Sequence, residues 1–475
     1  MPNFDSDIPN STARNYVPAA SFSSMVRRVN LQKRYILVIL TNIGFILIFA
    51  MRSNLCTFIL DPVHLSTIRN YSELYFMIAF FLIQIPTAIL VNRFSPFKIF
   101  GLSILCSALL GLGSLIILYI SHAHWLYYVG FFRGLFEGAA FPAAHGMWQH
   151  WVPSIERSTL ISIAYSGCFF GVAIGAQFSN LVCNLLPGDN ILIVYGVLGI
   201  LWFVLWTWSI YENPSAHPTI TQDELQYLNQ AINNHESTNN ALNSIPWKEI
   251  FTTKSVWALY VVHFCRSFTI MYILQGDFST LNFIHQTNVY FVEYPAFVIA
   301  ITLPVVGFLA DFISMKTSKS VSYIRRLYIS GGLFIELLIY LPGIFIIEYV
   351  GPLFLDQIFS CFSYSCIISG FFVNHADVAP KYAHVTMTIS QMMNVLATNF
   401  IYWMPIVLPF ESLEDTPDYK YNKMEGYFIV ATFFHIVGGL IYFVWGSGRA
   451  ESWSTSETKD EENRAVSFSN NSVGV

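Results

Sequence analysis

Residues 131–171 read FFRGLFEGAAFPAAHGMWQHWVPSIERSTLISIAYSGCFFG, and this stretch is the most informative part of the chain for the fold. Its first half is apolar enough for a membrane helix, yet it contains Arg133, Glu137 and His145. Charged side chains at the centre of a bilayer cost about 3 kcal/mol each on insertion scales, and those found there usually have a function. The second half begins with the polar turn WVPSIERS and then returns to an apolar run. The stretch therefore predicts two membrane helices, a buried acid–base cluster and a short charged hinge, an arrangement that suggests a transporter.

The whole chain has the composition of a polytopic membrane protein. Of its 475 residues, 54% are hydrophobic and only 11% are charged, whereas soluble domains contain about 25% charged residues. The net charge of −5 is small and gives no sign of nucleic-acid binding. The seven cysteines are scattered without CxxC or metal-ligand spacing, so we expect them to be packing residues. Because the sequence lacks a nucleotide loop, a nucleophile elbow and a metal-ligand cluster, we predict that the protein is not an enzyme and has no cofactor.

Twelve apolar runs separated by polar turns predict an all-α membrane protein. Each run is long enough to cross a bilayer, for which a helix needs about 20 residues. The runs lie near residues 35–60, 73–92, 97–120, 124–147, 158–184, 190–211, 253–276, 290–312, 325–349, 352–374, 383–408 and 426–446. Six runs, a polar break and six further runs resemble the layout of the major facilitator superfamily, with 12 transmembrane helices in two six-helix bundles.

The polar segments divide the chain into five parts. We expect disordered cytosolic tails at residues 1–34 and 448–475, six-helix bundles at 35–211 and 253–447, and a cytosolic linker at 212–252.

The distribution of positive charge predicts the orientation in the membrane. Most of the 24 Lys and Arg residues fall in segments that share a side with both termini. Because cytosolic loops carry an excess of Lys and Arg, we predict an integral multi-pass protein with cytosolic N and C termini. The sequence leaves open whether the membrane is the plasma membrane or a vesicular or lysosomal membrane. In the linker, Thr221 or a neighbour is placed to cap a short surface helix.

Two arginines in the apolar runs are candidates for substrate binding. Arg52 ends the first run, where it either snorkels to the membrane interface or faces a central cavity. Arg266 lies in the middle of a long apolar run, where snorkelling is difficult, so a cavity-facing role is favoured. One arginine from each bundle can hold an anion between them through bidentate contacts to a carboxylate or a phosphate.

The acid–base cluster of the fourth run is a candidate ion-coupling site. Arg133 and Glu137 are one helical turn apart and can pair on the same helix face. The pair is either an internal salt bridge without a role in transport or a site at which Glu137 loads and releases a proton. His145 is either a titrating group or a hydrogen-bonded packing residue.

Glycines and a proline shape the same run. Gly130, Gly134 and Gly138 repeat every four residues, a spacing that allows close contact with a neighbouring helix. Pro142 lacks the N–H that would bond the Gly138 carbonyl, so we expect a kink near the acid–base cluster.

Further polar residues lie at the ends of the runs or inside them. Glu73 precedes the second run and is either an interfacial carboxylate or a cavity residue, and Glu336 is expected to be protonated or hydrogen-bonded deep in the ninth run. Asp311, with Lys316 after it, resembles a cytosolic gate that forms a charge pair in one conformation. The residues assigned to gating or structural roles are Asp311, Glu156, Arg157, Asn374, His375 and Asp377. The last three of these can also simply cap the turn that follows the tenth run.

Several motifs in one order carry a family resemblance. The RGLFEGAAFPAAHGMWQHWVPSIERSTL stretch resembles the fourth-to-fifth helix signature of the anion/cation symporter family of the major facilitator superfamily, solute carrier family 17. That family includes the vesicular glutamate transporters, sialin, the vesicular nucleotide transporter and the type I sodium–phosphate cotransporters. The other matching motifs are Gln84-Ile85-Pro86, YENPSAHPTIT at 211–221, PWKEIFT at 246–252, HFCRSFT at 263–269 and GFFVNHADVAPKYA at 370–383.

The resemblance implies a site for an organic anion or phosphate between the bundles. Arg52 and Arg266 match the first-helix and seventh-helix arginines that the family uses in anion binding. Glu137 matches its fourth-helix glutamate, and His145 the histidine after the PA pair. The implied function is secondary active transport by alternating access, coupled to protons or sodium. The expected partners are a small anionic substrate and the lipid bilayer, without nucleic acid, and the chain is expected to be a monomer.

Three positions depart from the family pattern. Glu73 stands where the vesicular glutamate transporters carry a histidine, and Gly130 stands where many members carry an arginine. Arg133, one turn later, occupies a usual glutamine position. These departures favour a divergent anion carrier or a changed coupling ion, with Arg133 and Glu73 included among the substrate-binding candidates. The alternative is a non-transporting sensor or an anion-channel-like protein on the same scaffold.

Overall fold

The computed structural model describes residues 31–52, 62–119, 125–185, 190–232, 245–275, 294–317, 319–345, 353–407 and 417–455. The regular structure within these ranges is helical. Most of the predicted N-terminal tail and of the predicted C-terminal tail lies outside them.

The helices confirm the predicted all-α architecture with twelve spans. They are α1 (Lys33–Arg52), α2 (Pro62–Arg93), α3 (Pro96–Tyr119), α4 (Leu126–Gly138), α5 (Ala140–Trp151), α6 (Arg157–Leu185), α7 (Asn190–Ser209), α8 (Gln222–Ala231), α9 (Trp247–Thr252), α10 (Lys254–Gln275), α11 (Tyr294–Lys316), α12 (Val321–Phe345), α13 (Leu353–Val378), α14 (Ala383–Val407) and α15 (Pro417–Trp445). Helices α4 and α5 are two parts of the fourth span, and α8 and α9 belong to the linker. Seven described segments are long and apolar enough, by length and composition, to cross a membrane.

Two helices begin earlier than the apolar runs predicted. Helix α2 starts at Pro62 and helix α15 at Pro417, whereas the runs begin near residues 73 and 426. The added turns contain TIRNYSE and DYKYNKME, which are too polar for hydrocarbon. Hydropathy reports the part of a helix that lies in the bilayer, so it cannot locate an end that extends into the polar region.

The linker helix α8 is joined to the start of α1. Thr221 caps α8 as predicted, because its hydroxyl accepts a hydrogen bond from the Glu224 N–H at 3.3 Å. The Glu224 carboxylate in turn accepts the N–H groups of Lys33 at 2.9 Å and Arg34 at 3.1 Å. A carboxylate at this position satisfies two of the free N–H groups of α1 and interacts favourably with its dipole.

The residues after α15 dock on the same side. Residues 448–455 were expected to belong to a disordered tail, but the Glu451 N–H donates to the Val378 carbonyl at 2.9 Å. The Ser255 hydroxyl also donates to the Glu451 carboxylate, at 2.6 Å. The beginnings of α1 and α10 and the ends of α13 and α15 therefore lie on one side of the molecule, which we call the linker face.

The two halves of the chain pack first within themselves and then on one another. In the first half α1 lies along α6, α2 along α4, and α3 along α7; in the second half α12 contacts α13 and α15, and α10 contacts α14 and α15. Between the halves, α6 lies along α11 and touches α13, while α14 contacts α2 and α5. The interface between the halves is therefore built from α2, α5 and α6 on one side and α11, α13 and α14 on the other.

The glycines that repeat every four residues in the fourth span predicted a close contact with a neighbouring helix, and that helix is α2. A Cβ atom added at Gly134 would lie 3.0 Å from the Ala79 Cβ, and one at Gly138 would lie 2.5 Å from the Ile83 side chain. Gly130 packs in the same way on Ser72. Larger residues at these positions would push α2 away from α4.

The fourth span breaks where Pro142 predicts. Helix α4 ends at Gly138 and α5 begins at Ala140. The Gly138 carbonyl, freed by the missing proline N–H, accepts a hydrogen bond from Gln84 Nε2 on α2 at 3.1 Å. The same nitrogen also donates to the Phe80 carbonyl at 2.9 Å. Gln84 therefore supplies the partner that the break requires in a medium without water.

We expect Gln84→Leu to lower the free energy of unfolding by about 1–3 kcal/mol, the cost of leaving a buried carbonyl without its partner. Thr87→Val is the matched control, because the Thr87 hydroxyl only donates to the Ile83 carbonyl within its own helix. Denaturant or thermal unfolding of the two variants in detergent measures the difference. Equal losses in both would contradict this role of Gln84.

Candidate functional site

A cavity of about 150 Å³ lies between the two halves of the chain. Most of its wall is aromatic or aliphatic, with side chains from both halves. Its polar side chains are Arg52, Glu137, His263, Arg266, Tyr364, Gln391, Asn394 and Thr398. An apolar wall with a few convergent polar groups is the usual form of a small-molecule site.

Arg266 enters the cavity from α10, as its place in the apolar run predicted. Its Nη1 donates to the Tyr364 hydroxyl at 2.6 Å, and its Nη2 lies 2.6 Å from His263 Nε2. A guanidinium only donates, so His263 accepts at Nε2 and the imidazole is neutral in this arrangement. The guanidinium also lies 4.8 Å from the centre of the Phe371 ring. No carboxylate of the described residues is within ion-pair distance of Arg266, so its charge faces neutral groups.

Arg52 lines the cavity from α1, but it is paired. Its Nη2 is 2.6 Å from the Glu73 carboxylate, and its guanidinium lies 4.1 Å from the centre of the Phe76 ring. Glu73 itself is not part of the cavity wall. Glu73 is therefore placed as the ion-pair partner of Arg52. An incoming anion would compete with Glu73 for the Arg52 guanidinium.

The Arg133–Glu137 pair forms as predicted, with Arg133 Nε and Nη2 at 3.1 Å and 3.0 Å from Glu137 Oε1. Glu137 is only 3% exposed and lines the cavity. Its second oxygen, Oε2, has no hydrogen-bond partner among the described residues. Arg133 is not part of the cavity wall and reaches the site through Glu137. The contact of Gly130 with Ser72 leaves no space for an arginine at position 130.

His145 lies outside the cavity wall and bonds across the two halves. Its Nε2 is 3.0 Å from the Phe372 carbonyl on α13. Its Nδ1 is 2.7 Å from the Tyr165 hydroxyl and 3.1 Å from the Phe141 carbonyl. A neutral imidazole can donate from Nε2 and accept from Tyr165, whereas an imidazolium can donate to both carbonyls. Both charge states therefore find partners at this position.

An ion-pair network joins the two halves at the linker face. Asp377 on α13 accepts from Arg157 of the first half at 2.8 Å and from Arg325 of the second half at 2.7 Å. Arg325 also donates to the Ser158 hydroxyl at 3.0 Å. Asp377 was expected to cap a turn or to gate, and the structure places it as the bridge between two arginines.

Asp311 was expected to act as a gate that forms a charge pair in one conformation. In this structure its carboxylate accepts the N–H groups of Ser158 at 3.1 Å and Thr159 at 2.7 Å. These groups belong to the first turn of α6, in the other half of the chain. A carboxylate is favoured there because the N-terminus of a helix carries unpaired N–H groups and positive partial charge.

The remaining gating candidates also have partners. Glu156 forms an ion pair with Arg34 at 3.1 Å and accepts a hydrogen bond from the Tyr227 hydroxyl at 3.1 Å. The pKa of the Tyr227 phenol is raised, mainly by burial and secondly by the negative charge of Glu156. Asn374 donates to the Tyr442 hydroxyl at 2.5 Å. His375 Nδ1 is 3.0 Å from the Thr386 hydroxyl. Asn374 and His375 thus hold the second half together and do not cap the turn.

Sequence reasoning missed several polar residues of the site and its surroundings. They are His263, Tyr364, Gln391, Asn394 and Thr398 in the cavity wall, Arg325 at the linker face, and His435 beside Glu336. The cavity residues of α14 recur at intervals of three or four, the spacing of one helix face, and this spacing was the available signal.

Comparisons with known proteins agree with this architecture. Residues 41–401 match the family model described as Major Facilitator Superfamily. The chain is 28% identical over 466 residues to vesicular glutamate transporter 2 of Homo sapiens, covering 91% of this chain and 77% of the relative. It is 29% identical over 459 residues to the probable vesicular glutamate transporter eat-4 of Caenorhabditis elegans, covering 91% and 76%.

Two solved structures show a similar fold. One is a bacterial homologue of the iron transporter ferroportin in an outward-facing state, with a TM-score of 0.63, 10% identity and coverage of 87% of this chain and 99% of that chain. The other is the proton:xylose symporter XylE bound to 6-bromo-6-deoxy-D-glucose, with a TM-score of 0.62, 12% identity and coverage of 88% and 96%.

Proposed function

Because the chain belongs to the Major Facilitator Superfamily of membrane transporters, we propose that it carries a small organic anion or inorganic phosphate by alternating access. Transport is coupled to protons or sodium. The predicted resemblance to the anion/cation symporters is confirmed by relatives that are named vesicular glutamate transporters.

The charge of Arg266 is the observation that carries the proposal. Of the arginines near the cavity, Arg52 is offset by Glu73 and Arg133 by Glu137. Arg266 instead bonds a hydroxyl and a neutral imidazole. An anion in the cavity would therefore gain a charge-assisted contact with Arg266 without displacing a carboxylate. Arg52, from the other half, is the second group to which the anion can bind.

Glu137 supports the coupling role. Glu137 lines the cavity, its Oε1 is held by Arg133, and its Oε2 has no hydrogen-bond partner among the described residues. A proton or a sodium ion bound there would remove the negative charge that opposes an anion in the same cavity. Cation loading at Glu137 and anion loading at Arg266 would then favour each other, as symport requires.

The closed linker face supports alternating access. Asp377 and Asp311 connect the halves through contacts that have no covalent link, so they can separate as a group. Separation would expose the cavity to the linker face, whereas their formation closes it. Rocking of two bundles around a central site is the general mechanism of transporters built from such repeats.

Uptake of labelled phosphate, L-glutamate, sialic acid and urate into proteoliposomes tests the proposed function. We expect at least one of these anions to accumulate when a pH or sodium gradient is imposed. If none of them moves under any gradient, the proposal is wrong.

Glu137→Gln is expected to abolish proton-driven accumulation but to retain counterflow exchange, because glutamine keeps the shape of the side chain and cannot carry a proton. Glu249→Gln, at an exposed position in α9, is the matched control and should leave both activities unchanged. Measuring accumulation and counterflow in the same proteoliposome preparation separates the two steps. An equal loss of both in Glu137→Gln would argue against the coupling role.

A further inference from the structure

A second buried acid–base pair lies in the second half of the chain, away from the cavity wall. Glu336 on α12 and His435 on α15 are both fully buried. His435 Nε2 is in direct hydrogen-bond contact with Glu336 Oε2, and His435 Nδ1 is 2.5 Å from the Ala431 carbonyl. The other carboxylate oxygen, Glu336 Oε1, has no hydrogen-bond partner among the described residues.

These contacts determine how many protons the pair holds. A carbonyl oxygen only accepts, so His435 must donate from Nδ1 to Ala431. The contact between Nε2 and Glu336 Oε2 then needs a further proton, carried either by the imidazole or by the carboxyl group. In both cases the pair is neutral overall and has bound one proton more than a carboxylate beside a neutral imidazole. Without that proton two lone pairs would face each other at a buried contact, which is unfavourable.

The pair lies within electrostatic range of Arg266. Helix α15, which carries His435, contacts both α10 and α12. A Cβ added at Gly438, one turn after His435, would lie 3.0 Å from the Cys265 Cβ, next to Arg266. Tyr364, which accepts the Arg266 hydrogen bond, is within electrostatic range of Glu336 as well.

Within the described ranges, the titratable groups that face Glu336 come from three neighbouring helices. They are His435 on α15, Arg266 on α10, and Cys361, Tyr364 and Cys366 on α13. The thiols and the phenol are neutral when protonated, and Arg266 keeps its charge at all physiological pH values. Among the described groups of this cluster, the proton shared by Glu336 and His435 is therefore the one whose loss changes the net charge.

We propose that Glu336 and His435 form a proton-binding site, outside the cavity wall, that controls the anion affinity of Arg266. The proposal rests on the proposed function of Arg266 as the anion anchor. When the pair is protonated it is neutral, and the charge of Arg266 is available to the anion. When the pair loses its proton, the Glu336 carboxylate offsets Arg266 and lowers its affinity for the anion.

The coupling has a defined sign. Proton binding at the pair raises anion affinity, and by reciprocity a bound anion raises the proton affinity of the pair. The positive charge of Arg266 favours the deprotonated pair. Removing that charge must therefore make the pair hold its proton up to a higher pH.

Infrared pH titration of the full-length, anion-free protein tests this site without a substrate. Glu336→Gln and His435→Gln assign the bands of the pair. We expect a carboxyl band that titrates in the unaltered protein, disappears in Glu336→Gln, and changes in frequency in His435→Gln, which removes its hydrogen-bond partner. In Arg266→Gln the midpoint should move to higher pH by about one unit, a tenfold change in proton affinity. Arg326→Gln is the matched control and should leave the midpoint unchanged, because Arg326 donates to the Gly446 carbonyl at the linker face.

A midpoint that is the same in the unaltered protein and in Arg266→Gln would overturn the proposal, as would the absence of any titrating band assigned to Glu336 or His435. If one assignment variant fails to fold, the other still assigns the band, and the midpoints are then compared in the unaltered protein and in Arg266→Gln. L-glutamate, whose charge is constant between mildly acidic and neutral pH, serves as the anion probe in a separate binding measurement. Its affinity should fall by about fivefold or more as the pair deprotonates, the lower range of known coupling energies. If the uptake panel finds no transported anion while the midpoint still shifts, the proposed function fails and the proton site remains.

Discussion

Arg266→Gln is expected to reduce anion affinity and uptake by about 30-fold or more. Truncating one partner of a buried, hydrogen-bonded charge pair costs about 2–5 kcal/mol, and each 1.4 kcal/mol is about tenfold in affinity. Arg266 is only 5% exposed, and its neighbours Tyr364 and His263 are neutral. The variant therefore removes the main positive charge offered to the substrate. Uptake and equilibrium binding of the transported anion in proteoliposomes measure the loss.

Two further variants show whether the loss of uptake comes from the missing positive charge or from the missing planar arrangement of guanidinium donors. Arg266→Lys keeps the charge but cannot donate to Tyr364 and His263 in the same planar arrangement, so we expect an intermediate loss. Arg326→Gln removes an arginine of the same half at the linker face and should change uptake little. Normal uptake by Arg266→Gln would show that the anion binds elsewhere.

Asp377→Asn is expected to shift the protein towards a state that is open at the linker face. The carboxylate bridges Arg157 and Arg325, and Arg325 is 5% exposed. Removing one partner of a buried ion pair costs about 3–5 kcal/mol, because it leaves a buried charge without compensation. That penalty applies only while the face is closed, so the ratio of open to closed protein should rise by about 100-fold or more.

Cysteine accessibility measures this shift. Ser369 lies 3.0 Å from Ser162 of the other half and is buried in the closed face. Ser369→Cys should react slowly with a maleimide in the otherwise unaltered protein and much faster when Asp377→Asn is added, with the modified site identified by mass spectrometry. Asp223→Asn, at an exposed position in α8, is the matched control. Unchanged labelling in the Asp377 variant would exclude the network as the closing element.

The features that follow from local chemistry were predictable from the sequence. Apolar runs located the spans, because the bilayer demands about 20 apolar residues in a helix. The spacing of Arg133 and Glu137 predicted their ion pair, and Pro142 predicted the break after Gly138. The ion pair and the helix break each depend on two residues one helical turn apart, where the geometry is known in advance.

The contacts between distant parts of the chain were not predictable. Arg325 and Asp377 are 52 residues apart, and Glu336 and His435 are 99 residues apart. Their pairing depends on which helix faces meet, and the apolar sequences of these helices allow more than one orientation. For the same reason the sequence showed no partner for Glu336 and did not indicate that Asp311 binds the start of α6.

Counterflow in proteoliposomes tests the central claim, that the chain is a carrier which holds an anion at Arg266 between two halves. Vesicles are loaded with an unlabelled anion from the uptake panel and diluted into a trace of the same anion in labelled form. A carrier with a saturable site predicts a transient overshoot of label above its equilibrium level, and this overshoot should disappear in Arg266→Gln. Equilibration without an overshoot, as through a channel, or an overshoot that survives in Arg266→Gln would contradict the account.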